Sequence, residues 1–368
     1  MIVARRSEVV GRIVPVVLAI GLSLLLFALT GFDVGAIVDG IVEGSLTGDG
    51  ALANTVRWTI PLVVIGLGVG LSLRAGEFNI GGQGQFLVGS LMAVWVGLRW
   101  DLPTVAAVVV GMVVATVAGA LWSGVAGVLK VAIGADEVIV TLMLNFIAIQ
   151  LVSWVTTGPL RDPLTSGDAA STARLDESLR LQSSGQFSVV LIFLTLVLAI
   201  ATWLLVDRTK FGWSLSATGA NPRSAEWWGL PVRRLRLATY LLAGAFAGLA
   251  GAFEVFGPSG RVATGATPTV GFTSLVVATV GSLTVFGTIW AGLVFGALQS
   301  AVLFLPIVTD LPPSGLRIIE GLVALLITAQ FALVLRRRTT RGDDLTAVDR
   351  ERPDVSVGDG APGSELGD

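Results

Sequence analysis

The sequence contains no cysteine and no histidine among its 368 residues. This excludes disulfides, thiolate nucleophiles, serine–histidine triads and metal sites built from imidazole or thiolate ligands. Lysine is almost missing too, since Lys130 and Lys210 are the only two, and neither follows a glycine. No P-loop of the form GxxxxGK[ST] therefore exists, so the chain cannot hydrolyse ATP by that route. We expect no bound cofactor and no enzymatic activity.

Charge is scarce as well, with 14% charged residues against 53% hydrophobic ones. That balance lies far from the composition of soluble domains, which could not cover so much apolar surface. The 46 glycines favour helices whose backbones approach closely in a membrane. We predict an all-α, multi-pass transmembrane helix bundle in the cell membrane, surrounded by the lipid bilayer and without a nucleic-acid partner.

The apolar stretches of the chain predict its spans, because about 18 helical residues can cross a hydrocarbon core of roughly 30 Å. One longer stretch, from Val270 to Leu305, exceeds a single helix and is expected to fold back near Gly281 to Gly287. The other predicted spans are Ile13 to Thr30, Trp58 to Leu73, Ile80 to Leu98, Thr104 to Leu129, Val138 to Val155, Val189 to Val206, Leu237 to Phe256 and Ile318 to Leu335.

The distribution of arginine and lysine predicts the topology, since short basic loops stay in the cytoplasm. Two crossings between Val270 and Leu305 give about ten spans with both termini inside. The first span is then an anchor rather than a cleaved signal peptide. The predicted organisation is a cytoplasmic start (1–12), a transmembrane domain (13–335) with an external loop (158–187) and a cytoplasmic loop (207–236), and a disordered acidic tail (336–368).

A glycine-rich polar segment, RAGEFNIGGQGQ, interrupts the pattern between two spans. It carries Glu77, Asn79, Gln83 and Gln85. Irregular backbone at membrane depth and a tight cytoplasmic turn both fit this composition. Within the apolar spans, Asn145 needs a partner in the bundle, and Glu254 near an outer helix end suits either the membrane interface or a solute contact.

The inner loop TGANPRSAEWWGL differs from an ordinary linker. Asn221 can cap a helix, Pro222 suits its first position, and residues 224–228 can form a short helix closed by Gly229. The pattern predicts a helix on the cytoplasmic face. Trp227 and Trp228 could equally anchor it at lipid headgroups.

Four segments together resemble the inner-membrane permeases of ABC importers, in the branched-chain amino acid, simple sugar and nucleoside family. They are AGEFNIGGQGQ, DEVIVTLMLNFIA, GANPRSAEWWGL and AGLAGAFEVFG. The second and fourth look most like the nucleoside and sugar branch. Gln83 and Glu77 depart from the residues that relatives usually have there, a glutamate and an apolar residue respectively.

The resemblance implies a transport subunit driven by separate ABC ATPase subunits that use ATP, paired with a second permease subunit and supplied by an extracellular substrate-binding protein. The GANP-type loop would be the coupling element that docks on the ATPase. Its predicted residues are Gly219, Ala220, Asn221, Pro222, Ala225 and Gly229.

The residues expected to line the transport path are Glu77, Asn79, Gln83, Gln85, Asn145 and Glu254. The solute would be a nucleoside or simple sugar. Two alternatives remain open: an ABC permease for branched-chain amino acids, and an ion-coupled carrier in which Glu77 binds the ion. An intramembrane enzyme is disfavoured because no nucleophile and base pair is visible.

Overall fold

The computed structural model of the chain describes residues 18, 21–164, 170–181, 188–263, 269–309, 315, 318 and 321–322. Within these ranges the chain is helical, and its only β features are two isolated bridges. Helix α1 comprises residues 21–29. The others are α2 (Val34–Val42), α3 (Ala51–Arg74), α4 (Gly82–Arg99), α5 (Thr104–Ile133), α6 (Glu137–Thr157), α7 (Val189–Arg208), α8 (Lys210–Ala220), α9 (Pro222–Trp227), α10 (Val232–Glu254), α11 (Val270–Val280) and α12 (Val285–Val308).

Among the described residues, six helices are long and apolar enough to cross a membrane, namely α3, α5, α6, α7, α10 and α12. All six coincide with predicted apolar stretches. The predicted span that starts at Trp58 was too short, because α3 begins at Ala51 and includes a charged residue, Arg57, in its second turn. Arg57 interrupts the apolar stretch in the sequence, but its ion pair with Glu254 of α10 allows the helix to continue through it.

The long apolar stretch breaks where the sequence predicts. Helix α11 ends at Val280 and α12 starts at Val285, and Ser282 and Leu283 between them have positive φ. A side-chain carbon at Gly281 would lie 2.4 Å from the Thr288 amide nitrogen, so the turn closes tightly. With 11 residues, α11 extends only about 16 Å, roughly half a bilayer core.

Parts of the predicted topology fall outside the described residues: the start of the first span, most of the last span at Ile318 to Leu335, and the acidic tail. The count of ten spans and the cytoplasmic position of both termini therefore stay predictions.

The acidic segment that follows α1, residues 33–49, is largely helical rather than a simple loop. Asp33 caps α2 by accepting the Gly35 and Ala36 amides, and a π-helical turn, Glu43–Thr47, follows.

Three helices, α3, α4 and α10, form the centre of the bundle, and glycines set their close contacts. A side-chain carbon at Gly119 of α5 would lie 2.3 Å from the carbonyl oxygen of Gly244 on α10, and one at Gly248 would lie 2.2 Å from Ala115 O. Likewise, Gly89 of α4 touches Gly248. Peripheral α6 and α7 instead expose apolar side chains such as Phe146 and Phe193.

The bundle has two ends, which we name by their neighbours. The α9 end contains Arg74, the Lys130–Glu137 ion pair, α8 and α9. The loop end contains residues 158–164 and 170–181. The backbone of residues 172–181 hydrogen-bonds to the segment after α10, from Phe256 to Val262. Antiparallel contacts, such as Arg57 with Glu254 near one end and Ser72 with Thr239 near the other, fix these assignments.

Candidate functional site

The polar segment between α3 and α4 lies inside the bundle and is not a turn at its end. Helix α3 ends at Arg74, but α4 begins at Gly82 beside Ile65, because a side-chain carbon on Gly82 would be 3.2 Å from Ile65 Cγ2. Ile65 lies about 14 Å before the Arg74 end of α3, at a rise of about 1.5 Å per residue. Residues 75–81, which we call the break, therefore run back into the bundle as irregular backbone.

Two further helices place the break at the same depth. Asn145 Oδ1 accepts from the Gly84 amide at 2.7 Å, and Asn145 lies about 12 Å from the Glu137 end of α6. Ser123, which contacts Asn79 and Gln85, lies about 15 Å from the Ile133 end of α5. All three distances place the break about 12–15 Å from the α9 end of these helices, well inside the bundle. The deeper of the two sequence interpretations is the one observed.

The break has backbone N–H and C=O groups without a helical hydrogen-bond partner, and side-chain amides and hydroxyls bond to several of them. Asn79 Oδ1 accepts from the Gly81 amide at 2.8 Å and from Gln85 Nε2 at 3.1 Å. Gln85 Nε2 also donates to Ser123 Oγ at 3.0 Å. On the facing helix, Asn145 Nδ2 donates to Ile80 O at 3.0 Å. Because hydrocarbon offers no partner for a bare amide, these bonds are what permits irregular backbone at this depth.

The same network holds the start of the short helix α11. The Gly271 amide donates to Gln83 Oε1 at 2.8 Å, so α11 begins at the level of the break and runs toward the α9 end. Asn79, Gln83, Gln85 and Asn145 are each at most 2% exposed. The structure thus brings four of the six predicted path residues into one neutral cluster, the amide cluster, in which they bond to protein groups. Gln85 Oε1 is buried there without a hydrogen-bond partner.

Glu77 lies at the edge of the break nearest the α9 end and is 1% exposed. Its Oε1 is 2.7 Å from Arg236 Nε, and the Tyr240 hydroxyl donates to its Oε2 at 3.2 Å. A charge-balanced pair is much less costly to bury than a lone carboxylate. The Glu77 carboxylate is therefore already ion-paired with an arginine of the same chain.

Glu254, the sixth predicted path residue, lies apart from this cluster near the loop end. Its Oε1 is 3.3 Å from the Arg57 guanidinium, which also lies 5.1 Å from the centroid of the Trp58 ring. The pair lines a small cleft between α3, α7 and the end of α10. Sequence analysis missed Arg57, although a lone arginine followed by a long apolar stretch was a usable signal.

Helices α8 and α9 form a surface element at the α9 end. As predicted, the Asn221 side chain accepts the Ser224 amide, Pro222 occupies the first turn, and Gly229 follows with φ of +78°. The exposed residues of this element include Trp227 at 92% and Trp228 at 79%.

Two residues predicted for ATPase docking have internal positions. Ala225 lies on the buried side of α9 and is only 4% exposed. Gly219 lies against α3, because a side-chain carbon there would be 2.1 Å from Arg74 O. By contrast, the predicted residue Asn221 is exposed, as are the neighbouring Trp227 and Trp228.

At the loop end, arginines gather where residues 170–181 meet the end of α10. Arg180 donates to Pro258 O at 3.0 Å, and Arg174 and Arg180 both approach Gly260. Burial lowers the pKa of Arg180, and the neighbouring Arg174 adds to that effect. Backbone and side-chain hydrogen bonds from Ser178 hold the pKa of Asp176 below its usual value. The described residues of this face carry four arginines against three acidic residues, a slight basic excess, and their positions are fixed by backbone hydrogen bonds.

Several membrane-crossing helices around a polar, irregular segment inside the bundle define an α-helical membrane transport protein. A family described as the branched-chain amino acid transport system, permease component, matches residues 51–328. The chain belongs to this family. It is a multi-pass membrane protein and a permease subunit of an ABC transporter, as the sequence motifs predicted.

Curated relatives cover most of the chain. The guanosine ABC transporter permease protein NupP of Bacillus subtilis is 30% identical over 90% of this chain and 96% of its own length. The glucose ABC transporter permease protein TsgB13 of Haloferax volcanii is 32% identical over 78% of each chain. The nucleoside ABC transporter permease protein NupB of Lactococcus lactis is 26% identical over 77% of this chain and 80% of its own. These relatives are transport subunits rather than enzymes.

Proposed function

We propose that the chain forms half of the membrane pathway of an ABC importer for a neutral polar solute, a nucleoside or a simple sugar. The observation that carries the proposal is the break well inside the bundle, which presents amides and hydroxyls and is joined directly to the exposed element α8–α9. A pathway needs polar groups at depth, and an externally driven pathway also needs a surface on which the motor acts.

The charge state of the site supports a neutral solute. The amide cluster contains no ionisable side chain, and the two acids at the predicted path, Glu77 and Glu254, are each paired with an arginine of the same chain. A zwitterionic amino acid brings two charges that would need partners at depth. Hydroxyls and heterocyclic nitrogens need only hydrogen bonds, which asparagine, glutamine and serine supply. The relatives named for guanosine, nucleosides and glucose agree with this choice.

The same pairing argues against the ion-coupled carrier. That mechanism needs an acid able to bind and release an ion, and the Glu77 carboxylate already lies between Arg236 and the Tyr240 hydroxyl. We therefore assign the driving force to ATPase subunits that bind at α9.

Three partners complete the proposed importer. ATPase subunits meet Trp227 and Trp228, a second permease subunit supplies the other half of the path, and an extracellular binding protein meets the loop end around Arg174 and Arg261. The predicted path residues Asn79, Gln83, Gln85 and Asn145 would shape the path through the backbone they hold, and Glu254 would line its outer part.

The test is uptake of labelled nucleosides, sugars and leucine by liposomes that contain the assembled complex, its binding protein and ATP. We expect ATP-dependent uptake of a nucleoside or a sugar, and none with an ATPase that binds but does not hydrolyse ATP. Uptake of leucine alone, or uptake driven by an ion gradient without ATPase, would overturn the proposal.

A matched pair of variants tests the docking surface in the same preparation. Trp227→Ala should reduce co-purification of the ATPase, because it removes a side chain that is 92% exposed on α9. Trp100→Ala removes an exposed tryptophan at the loop end and should leave co-purification unchanged. Equal retention of the ATPase by both variants would contradict docking at α9.

A further inference from the structure

The segment from Arg74 to Asn79 is where several elements of the α9 end meet. Arg74 Nε donates to Leu283 O, in the turn between α11 and α12, at 2.8 Å, and the Arg74 guanidinium lies 3.6 Å from Asp207 at the end of α7. Gly219 of α8 touches the same backbone, since a side-chain carbon at Gly76 would lie 3.3 Å from Gly219 Cα. A displacement of α8 relative to the bundle would therefore reach this segment through direct contacts.

Helix α10 is tied to that segment by Glu77. The carboxylate is paired with Arg236 at 2.7 Å and accepts from Tyr240 at 3.2 Å, and both residues lie in the first half of α10. A second bond runs in parallel, from Ser72 Oγ to Thr239 O at 3.3 Å. Since α10 begins at Val232, shortly after α9 ends at Trp227, only a short turn separates the docking element from these contacts.

The connection continues from Glu77 into the amide cluster. The Asn79 amide donates to Glu77 O at 3.2 Å, and the Asn79 side chain then organises Gly81 and Gln85. The path from α9 to the interior of the bundle thus consists of the start of α10, the Arg236–Glu77 ion pair and two residues of the break. Each step is a direct contact.

We propose that Glu77, Arg236 and Tyr240 are positioning residues that transmit the movement of α8 and α9 to the break, so that ATP hydrolysis by the partner opens the path. This inference rests on the proposed function and assigns these residues a role in coupling, not in contacting the solute. Glu77 was expected to line the path; in this proposal it acts through Asn79.

The bundle provides a matched control for the loss of an ion pair. Lys130 and Glu137 form a pair of the same charge type at the same end, between α5 and α6, at 2.5 Å. Neither group is ion-paired with α10 or the break, but both charges act on Glu77 through space, so this control separates loss of the direct contact from loss of a nearby charge. The two groups are 22% and 19% exposed, whereas Glu77 is 1% exposed.

The experiment compares Glu77→Gln, Arg236→Gln and the control Glu137→Gln in the complete complex with ATPase subunits and binding protein, in liposomes. Co-purification of the ATPase, ATP hydrolysis and solute uptake are measured together. We expect Glu77→Gln and Arg236→Gln to assemble and hydrolyse ATP but to use about tenfold more ATP per solute, within the usual range of coupling between sites. Glu137→Gln should keep the wild-type ratio.

Two milder variants keep the test decisive if the others fail to fold. Tyr240→Phe removes one hydrogen bond and keeps the ring, and it should raise the ATP used per solute by a smaller factor. Arg236→Lys retains the charge and should stay near the wild-type ratio. A wild-type ratio in Tyr240→Phe and Glu77→Gln, or a change equal to that in Glu137→Gln, would overturn the inference. If the wild-type complex itself shows no ATP-dependent uptake, the proposed function has failed instead.

Discussion

Burial and hydropathy vary in opposite directions between the centre and the periphery of the bundle. The central helices are α3 and α10, and the peripheral ones are α6 and α7. In α3 and α10, 78% and 72% of the most apolar stretch is buried, yet the mean hydropathy is only 1.7 and 1.5. In α6 and α7 the buried share is 28% in each, and the mean hydropathy rises to 2.2 and 2.9. Hydropathy here measures contact with hydrocarbon rather than burial in protein, because lipid is as apolar as leucine.

The centre can be less apolar because it is held by close backbone contacts and hydrogen bonds. Helix α4 makes the point most clearly, since it is 18 residues long and largely buried but is not among the six spans recognised by length and hydropathy. Its first turn carries Gln83 and Gln85. The helix with the highest hydropathy, α7, contributes no residue to the amide cluster, although α6 supplies Asn145. Three pairs of substitutions would break or sharpen this contrast.

The largest effect is expected at the contact between α5 and α10. Gly119→Leu would push a side chain into Gly244 O, 2.3 Å from the first added carbon, and backbone cannot give way as a side chain can. We expect most of the folded protein to be lost, measured as the monodisperse fraction by size exclusion in detergent. Val117→Leu, on the same helix but 51% exposed, should behave as wild type. Equal yields of folded protein from the two variants would contradict the importance of the close contact between α5 and α10.

A smaller difference is expected for removing leucine side chains. Leu62 of α3 is fully buried, so Leu62→Ala leaves a cavity and should cost about 2–5 kcal/mol of stability. Leu196 of α7 is 48% exposed, and lipid can fill the space that Leu196→Ala leaves. The second variant should therefore unfold at nearly the wild-type temperature. Thermal unfolding in the same detergent compares them; a similar loss in both would mean that α7 is buried against a partner.

The smallest of the three effects concerns hydrogen bonds at the break. Asn145→Leu removes the partners of the Gly84 amide and Ile80 O, and leaving such groups unpaired should cost about 1–3 kcal/mol. The adjacent Phe146 is 60% exposed, so Phe146→Leu should be neutral. Thermal unfolding again provides the measurement. If Asn145→Leu is as stable as Phe146→Leu, the amide does not support the break.

Much of this fold follows from local sequence. Apolar stretches predicted all six recognised spans, the length limit of a helix predicted the turn at Gly281, and Asn221, Pro222 and Gly229 predicted α9 with its cap. Each of these features depends on residues within one or two helical turns, where propensity and periodicity act directly.

The parts that could not be predicted depend on partners far apart in the chain. The depth of the break is fixed by Gly82 lying beside Ile65, and a single sequence does not reveal that alignment. The partners of Glu77 and Glu254 are arginines on other helices, Arg236 and Arg57. Charge suggests that a buried acid has a basic partner, but only the packed bundle selects which one. The interior position of Ala225 is likewise a tertiary effect.

The contact of Gly119 with Gly244 and Gly248 also bears on how this chain can change over time. At that crossing the nearest atom to each glycine belongs to the main chain of the opposite helix, so no side-chain replacement there can create room for a larger residue. Cores usually change by paired substitutions, in which one side chain becomes smaller as its neighbour becomes larger. Such paired substitutions are not available to either helix at this crossing. Outward positions of α7 are free to exchange among apolar types. Tolerance to mutation should therefore rise with hydropathy from helix to helix, the reverse of the order found in soluble proteins.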